Sequence, residues 1–279
     1  MPLELPTPPV RPRPSAGAPK PRSRQSSLPD GQVKELIKTH AREEHDLANR
    51  EQRKPEEVCG WVVKRGKKQI VVRGRNFARL PCEGFVADPR EAEDRGDVLL
   101  CYHTHPYRPP EPSDADRTTA EKHEVPMLIL SWPQEAWALY SPCGWRAALL
   151  GRPFVHGVLD CYTLIRDYYA EKLNIVLPDF EREDQWWYHG GNLYLDNFTK
   201  AGFVRVDGEV RPHDVILIIQ GQPPPPVPNH AAVYLGDGMI MHHVQERLSC
   251  VQPYVANSGH YAKMTYCVIR HRRVPVISP

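Results

Sequence analysis

Two histidines, a serine and an aspartate with the chemistry of a metal site lie in the segment CYHTHPYRPPEPSDAD, residues 101–116. His103 and His105 are two positions apart, and Asp116 follows Ser113 by three. Two imidazoles and a carboxylate form the three-ligand set of a catalytic zinc ion, which leaves one coordination position for water. A structural zinc site more often has four protein ligands, with cysteines among them. We therefore predict a catalytic zinc site, in preference to a polar loop with two surface histidines.

The elements on either side of this segment must position it. The apolar run Val98–Cys101 predicts a strand that ends at the histidines, and Thr118–His123 predicts a helix after Asp116. Upstream, the sequence KPEEVCG contains Glu56 and Glu57 and precedes another apolar run. Either carboxylate is suited to be a general base beside a metal-bound water, and spacing alone does not decide between them.

The order Pro-x-Glu-x-Cys-Gly, His-Thr-His-Pro and Ser-x-x-Asp resembles the JAMM (MPN-type) metalloprotease family, over about residues 33–144. The resemblance implies a zinc-dependent (iso)peptidase. It favours Glu57 as the general base, because the family carboxylate lies two residues before the Cys-Gly pair. It also implies that Ser113 donates a hydrogen bond to the transition state. The implied zinc ligands are His103, His105 and Asp116.

A second set of chemically suited residues lies in the C-terminal half. Cys161 opens a segment with apolar residues at helical spacing up to Leu173, so its thiol is expected at a helix N-terminus, where the macrodipole favours a thiolate. Downstream, His230 and His242 flank a predicted hairpin of strand, Gly-Asp-Gly turn and strand, which brings them side by side. His243 points to the opposite side of the strand and is interpreted as a bystander.

The context of these residues resembles the NlpC family of cell-wall cysteine peptidases, over about residues 149–273. The shared features are Asp-Cys at a helix start, the sequence HAAVYLG and a second histidine twelve residues after the first. The resemblance implies a papain-like fold and peptidoglycan stem peptides as substrate. It implies Cys161 as the nucleophile, His230 as the general base and His242 as the group that orients His230.

The two domains in this order resemble the tail tip assembly proteins of lambda-like siphophages, over nearly all of the chain beyond residue 30. The implied fold class is α+β, with a JAMM-type domain at residues 31–146 and an NlpC-type domain at residues 147–279. The implied partners are other tail tip proteins and peptidoglycan peptides. The implied location is the host cytoplasm during assembly, followed by the virion tail tip or the host periplasm.

Two other hypotheses remain open at the level of sequence. A structural assembly factor with vestigial catalytic sites would need neither metal nor nucleophile. A cellular enzyme that removes ubiquitin-like modifiers accounts for the first domain but not for the second.

Composition limits the remaining classes of function. The 279 residues suit two domains, and a net charge of +2 gives no case for nucleic acid. No window predicts a membrane span, and the N-terminal prolines are unlike a signal peptide.

The seven cysteines show no zinc-ribbon spacing, which favours a reduced compartment. Residues 1–30, rich in proline and arginine, are expected to be disordered or polyproline II.

Hydrophobic patterns predict the other elements. The predicted helices lie at 32–48, 161–173 and near 194–201. The predicted strands lie at 60–64, 69–73, 125–130, 137–140, 145–149, 215–219, 231–235, 239–243 and 265–270.

Overall fold

A computed structural model describes residues 29–254 and 260–274 of the chain. The N-terminal half contains a five-stranded sheet and the C-terminal half a six-stranded sheet, each with helices packed against it. This architecture confirms the predicted α+β class with two folded parts. Among the described residues, no helix has the length and apolar character that a membrane span requires. The predicted N-terminal tail lies outside the described residues, except for Pro29 and Asp30.

The first sheet has the strand order β2-β1-β3-β4-β5. The helix α1 packs against it through Val33, Ile37 and Ala41, which share a buried cluster with Val62 of β1 and Leu128 of β4. Strand β4 is buried along its whole length, as expected for a central strand covered on both faces. The elements are α1 (Gly31–Glu51), β1 (Cys59–Arg65), β2 (Lys68–Gly74), α2 (Arg90–Glu93), β3 (Asp97–Pro106), α3 (Asp114–His123), β4 (Met127–Trp132) and β5 (Ala136–Tyr140).

Strand β3 is longer than its apolar run predicts. It pairs with β1 on one side and, in parallel, with β4 on the other, as far as the Pro106–Trp132 partners. His103 and His105 therefore lie within the strand and do not follow it. Since alternate residues of a strand point to the same face, both imidazoles are on one side of the sheet.

The second sheet has the strand order β10-β9-β8-β7-β11-β6. The helix α4 covers it through Leu164, Ile165 and Tyr168, which share a buried cluster with Leu217 of β7 and Val233 of β8. The elements are α4 (Cys161–Leu173), a 3₁₀ helix (Trp186–Tyr188), α5 (Leu193–Asn197), β6 (Phe203–Val206), β7 (Val215–Ile218), β8 (His230–Gly236), β9 (Met239–His242), β10 (Cys250–Pro253), α6 (His260–Lys263) and β11 (Thr265–His271).

The predicted strand at 145–149 is wrong, because side chains satisfy the backbone groups of this segment. Glu121 on α3 accepts hydrogen bonds from the N–H groups of Gly144 at 2.9 Å and Trp145 at 3.1 Å. Arg152 donates to the carbonyl oxygens of Ala147 at 3.3 Å and Ala148 at 2.6 Å. These contacts replace the ladder of a strand and hold the connection between the two sheets.

The short edge strands β6 and β10 were not predicted. Each has four residues, and each alternates only weakly between buried and exposed positions. A pattern of this length gives little periodicity, so pairing with a neighbouring strand decides whether it forms.

We expect Gly60→Ala to destabilise the N-terminal domain by about 1–3 kcal/mol, the usual cost of overpacking. A Cβ atom at Gly60 would lie 2.3 Å from the carbonyl oxygen of Val72 and 2.7 Å from the hydroxyl of Tyr102. Urea unfolding followed by circular dichroism measures the change. Gly31→Ala is the matched control, since a Cβ there meets nothing within 4 Å. Equal stability of the two variants would contradict the close approach.

Candidate active sites

The first candidate site lies where β3 faces the start of α3. The Nε2 atoms of His103 and His105 are 3.0 Å apart. Asp116 lies beside both, with Oδ1 3.3 Å from the Nε2 of His103 and Oδ2 3.8 Å from the Nε2 of His105. All three side chains are buried. The structure therefore brings together the three residues that the sequence suggested as metal ligands.

A capping box at the start of α3 orients Asp116. The Ser113 hydroxyl accepts from the Asp116 N–H at 3.1 Å and donates to Asp116 Oδ2 at 2.8 Å. The Ser113 N–H donates to the same Oδ2 at 2.7 Å. This reciprocal arrangement satisfies first-turn N–H groups that have no partner within the helix. It occupies Oδ2 and leaves Oδ1 directed at His103.

Hydrogen bonding and burial prepare both imidazoles to bind a cation. His105 Nδ1 lies 2.7 Å from the carbonyl oxygen of Pro109, which can only accept, so the network assigns the proton to Nδ1 and a lone pair to Nε2. His103 stacks on Phe85, with 4.6 Å between ring centroids. Its burial lowers its pKa to about 4, so the ring is neutral near pH 7. A neutral imidazole is the form that binds metals.

The spacing of these donor atoms fits a small divalent cation. Around a tetrahedral ion with bonds of about 2.0–2.1 Å, two ligand atoms lie roughly 3.3 Å apart. The separations of 3.0 Å between the histidine nitrogens and 3.3 Å between His103 and Asp116 are close to that value. The separation between His105 Nε2 and Asp116 Oδ2 is longer, at 3.8 Å, so these three residues could hold such an ion after a small adjustment of their side chains.

Glu57 completes this site, and Glu56 does not. The donor atoms of Glu57, His103 and His105 all lie within 4.8 Å of one another. Burial raises the pKa of Glu57 to about 8, although the opposing charge of Arg108, which pairs with this carboxylate, acts to lower it. The Glu56 side chain is 40% exposed and faces Arg53.

The second candidate site begins at α4, which starts at Cys161 as predicted. Asp160 caps this helix, with Oδ1 accepting from the Thr163 N–H at 2.9 Å. Its carboxylate also accepts from Arg182, whose Nε lies 2.6 Å from Oδ2, and both side chains are 3% exposed. This buried ion pair fixes the turn from which the thiol projects.

A chain of hydrogen bonds orients the histidines on β8 and β9. His242 Nε2 lies 3.2 Å from the side-chain oxygen of Gln252, and His242 Nδ1 lies 3.2 Å from His230 Nε2. Because the Gln252 oxygen only accepts, the network assigns the His242 proton to Nε2. His242 Nδ1 then accepts from His230 Nε2–H. His230 Nδ1 is left with a lone pair, as a general base requires.

Cys161 lies against β8. Its sulfur is 3.2 Å from the Tyr194 hydroxyl, and the backbone N–H of Ala231, the residue after His230, acts to lower the pKa of the thiol. Burial, followed by the charge of Asp160, raises the pKa of the thiol to about 11. Burial lowers the pKa of His230 to about 3. Both groups are therefore neutral near pH 7, and the predicted resting thiolate is not favoured.

Sequence reasoning did not find four residues of these sites: Arg108, Arg182, Tyr194 and Gln252. Each contacts a partner from another element, and no fixed spacing links it to that partner. Tyr194 lies at the start of a predicted helix, and nothing in its spacing links it to Cys161. Local sequence carries no comparable signal for Gln252.

Comparisons with known proteins agree with this two-part architecture. The family of prokaryotic homologs of the JAB domain matches residues 38–141, and the NlpC/P60 family matches residues 151–270. Tail tip assembly protein K of Escherichia phage lambda is 39% identical over 183 residues, which is 65% of this chain and 86% of that protein. Tail tip assembly protein K of Escherichia phage N15 is 31% identical over 225 residues, 79% of this chain and 90% of that protein.

A solved NlpC/P60 family protein from Bacillus cereus is 16% identical, over 84% of this chain and 67% of its own. The TM-score is 0.30, and an overlap of that size carries no argument about the fold.

We expect Arg182→Met to lower the free energy of unfolding by about 3–5 kcal/mol at pH 7, because it leaves the Asp160 carboxylate buried without its partner. Burial raises the pKa of Asp160, but the charge and hydrogen bonds of Arg182 outweigh it and hold the pKa well below its ordinary value. The stability from this pair is therefore present above about pH 4 and is lost as the pH falls through the folded-state pKa.

In Arg182→Met the guanidinium no longer offsets the burial of Asp160, although the hydrogen bond from the Thr163 N–H remains, so ionisation of Asp160 costs more as the pH rises. Urea unfolding at pH 4.5 and pH 7 should therefore show the larger loss at pH 7. Arg205→Met is the control, since Arg205 is 59% exposed and lies 3.7 Å from Asp207. A loss in Arg182→Met no greater than in this control would refute the buried-pair account.

Proposed function

The chain belongs to the family of phage tail tip assembly protein K, and from that premise we propose that it acts in tail tip assembly as a two-domain hydrolase. Residues 31–146 form a zinc-dependent (iso)peptidase and residues 147–279 form a cysteine endopeptidase that cleaves peptidoglycan stem peptides. The observation that carries the proposal is the hydrogen-bonded chain from Gln252 through His242 to His230, whose neighbour in sequence, Ala231, acts on the thiol of Cys161.

In the second domain, Cys161 is the nucleophile and His230 the general base. Because both groups are neutral at rest, His230 Nδ1 takes the thiol proton as the sulfur attacks the substrate carbonyl carbon. The S–C bond forms, the C–N bond breaks, and His230 gives the proton to the leaving amine. His230 then deprotonates a water molecule, which attacks the thioester carbon and breaks the S–C bond. His230 returns the proton to the sulfur. His242 orients His230 and stabilises the cation that forms on it.

In the first domain, His103, His105 and Asp116 would hold the zinc ion. When bound, zinc supplies Lewis-acid chemistry, polarising a carbonyl and making a water acidic near neutral pH. Glu57 would act as general base toward the attacking water and as general acid toward the leaving amine. Ser113, whose hydroxyl donates to Asp116 Oδ2 at rest, would turn that proton to the developing oxyanion. The donor spacing and the neutral imidazoles support this assignment.

The second candidate function is a structural tail tip factor whose catalytic sites are vestigial. The pairing of Arg108 with the Glu57 carboxylate favours it for the first domain, because the guanidinium occupies the carboxylate that a general base must present to water. Both functions have other tail tip proteins as partners. Both functions place the protein in the host cytoplasm during assembly. The hydrolase function also places it in the virion tail tip or the host periplasm.

We expect the purified full-length protein to bind one equivalent of zinc, and His105→Ala to lose it, because two remaining ligands do not hold the ion at ordinary concentrations. Elemental analysis after dialysis against a weak chelator measures the metal. Asp116→Asn should also lose zinc, whereas Glu57→Gln should retain it, because a general base is not a ligand. Zinc retained in Asp116→Asn but lost in Glu57→Gln would make Glu57 the third ligand.

We expect the full-length protein to release peptides from cell-wall sacculi in the presence of a zinc chelator and to lose this activity after thiol alkylation. His230→Ala should abolish turnover, since the thiol loses its proton acceptor. His242→Ala should retain more activity, because it removes the orienting group and not the proton acceptor itself. Chromatography of the released muropeptides is the assay. Failure to cleave any sacculus, with the fold intact, would favour the structural factor.

A further inference from the structure

Tyr194 lies directly on the sulfur of the candidate nucleophile. Its hydroxyl is 3.2 Å from Cys161 Sγ, although 33 positions separate the two residues. Tyr194 is 5% exposed. Its ring packs edge-on against Trp186 and Tyr162, with centroid distances of 6.1 Å and 6.3 Å. These contacts hold the hydroxyl in place at the thiol.

The chemistry of the pair decides which atom donates. Burial raises the pKa of Tyr194 well above its ordinary value, so the hydroxyl keeps its proton. Once the thiol proton has left, Cys161 Sγ can only accept, and the tyrosine O–H must be the donor. Hydrogen bonds to an ionised partner are shorter and stronger than those between neutral groups. The contact therefore strengthens in the state in which the sulfur attacks.

The surroundings of Cys161 otherwise disfavour that state. The sulfur is poorly solvated, and the Asp160 carboxylate lies on the preceding residue. The Ala231 N–H offers one hydrogen bond from the backbone. The Tyr194 hydroxyl is a second donor to the sulfur. Because it belongs to a side chain, a substitution can remove it without changing the backbone.

We propose that Tyr194 is a further catalytic residue of the thiol site, whose hydroxyl donates a hydrogen bond to Cys161 Sγ and stabilises the thiolate that attacks the substrate. This inference rests on the proposed function only in taking Cys161 as the nucleophile.

Alkylation of Cys161 in the full-length chain tests the proposal without any substrate. Tyr194→Phe keeps the ring and removes the hydroxyl, which should raise the pKa of the thiol by about one to two units. A thiolate of higher pKa is also a better nucleophile, which offsets about half of the effect on rate. We therefore expect iodoacetamide to label Cys161 about three- to tenfold more slowly at each pH from 7 to 9. Mass spectrometry of the Cys161 peptide gives the rate.

Tyr162→Phe is the matched control. Tyr162 follows Cys161 in sequence, and its buried hydroxyl donates to the Pro178 carbonyl oxygen at 2.7 Å. The variant therefore removes a tyrosine hydroxyl that does not contact the sulfur. Its labelling rate should stay within twofold of the wild type. Near-UV circular dichroism confirms that each variant is folded, and each is labelled well below its unfolding midpoint.

A rate in Tyr194→Phe equal to the wild type, or faster, would overturn the proposal and leave the tyrosine as a cover over the sulfur. The labelling test of Tyr194 and the cleavage test of the proposed function can fail independently. Slower labelling in a protein that cleaves no sacculus would retain the role of Tyr194 at the thiol and reject the peptidase. Unchanged labelling in an active peptidase would reject Tyr194 alone.

Discussion

Capping of a helix N-terminus is the constraint on which both candidate sites depend. The first N–H groups of a helix have no partner within it, so a polar side chain must accept from them. Ser113 and Asp116 meet this need for α3, and Asp160 meets it for α4. The same bonds direct an oxygen of Asp116 at His103 and set the turn from which Cys161 projects. Functional atoms are thus oriented by contacts that the helices require in any case.

The cap of α4 brings a second requirement, because the Asp160 carboxylate is buried. A buried charge needs a partner, and Arg182 supplies it from the segment that follows α4. Asp179, in the same segment, lies 3.3 Å from Arg182 and 2.9 Å from Lys122 at the end of α3. One network of charges therefore ties the start of α4 to the helix that begins beside the first site. The two halves of the molecule therefore contact each other through α3 and the segment that follows α4.

Strand geometry supplies the remaining orientation. His103 and His105 share a face of β3 because side chains alternate along a strand. His230 and His242 meet because β8 and β9 form a hairpin in which Ala232 is the partner of His242. In each pair the two imidazoles are in direct contact, at 3.0 Å and 3.2 Å. Burial lowers the pKa of His103 and His230, which keeps both rings neutral near pH 7.

The sequence by itself determined what local rules control. The helix start at Cys161, the common face of His103 and His105, and the hairpin between His230 and His242 all follow from periodicity and turn residues. Local rules failed at 145–149, where an apolar stretch meets Glu121 and Arg152 and loses its strand.

Only the tertiary structure decided which distant groups meet the functional atoms. Arg108 reaches Glu57, Tyr194 reaches Cys161, and Gln252 reaches His242 across 51, 33 and 10 positions of sequence. Such contacts depend on how separate elements pack, and packing depends on the shape of the whole core. The spacing of residues along the chain does not encode it.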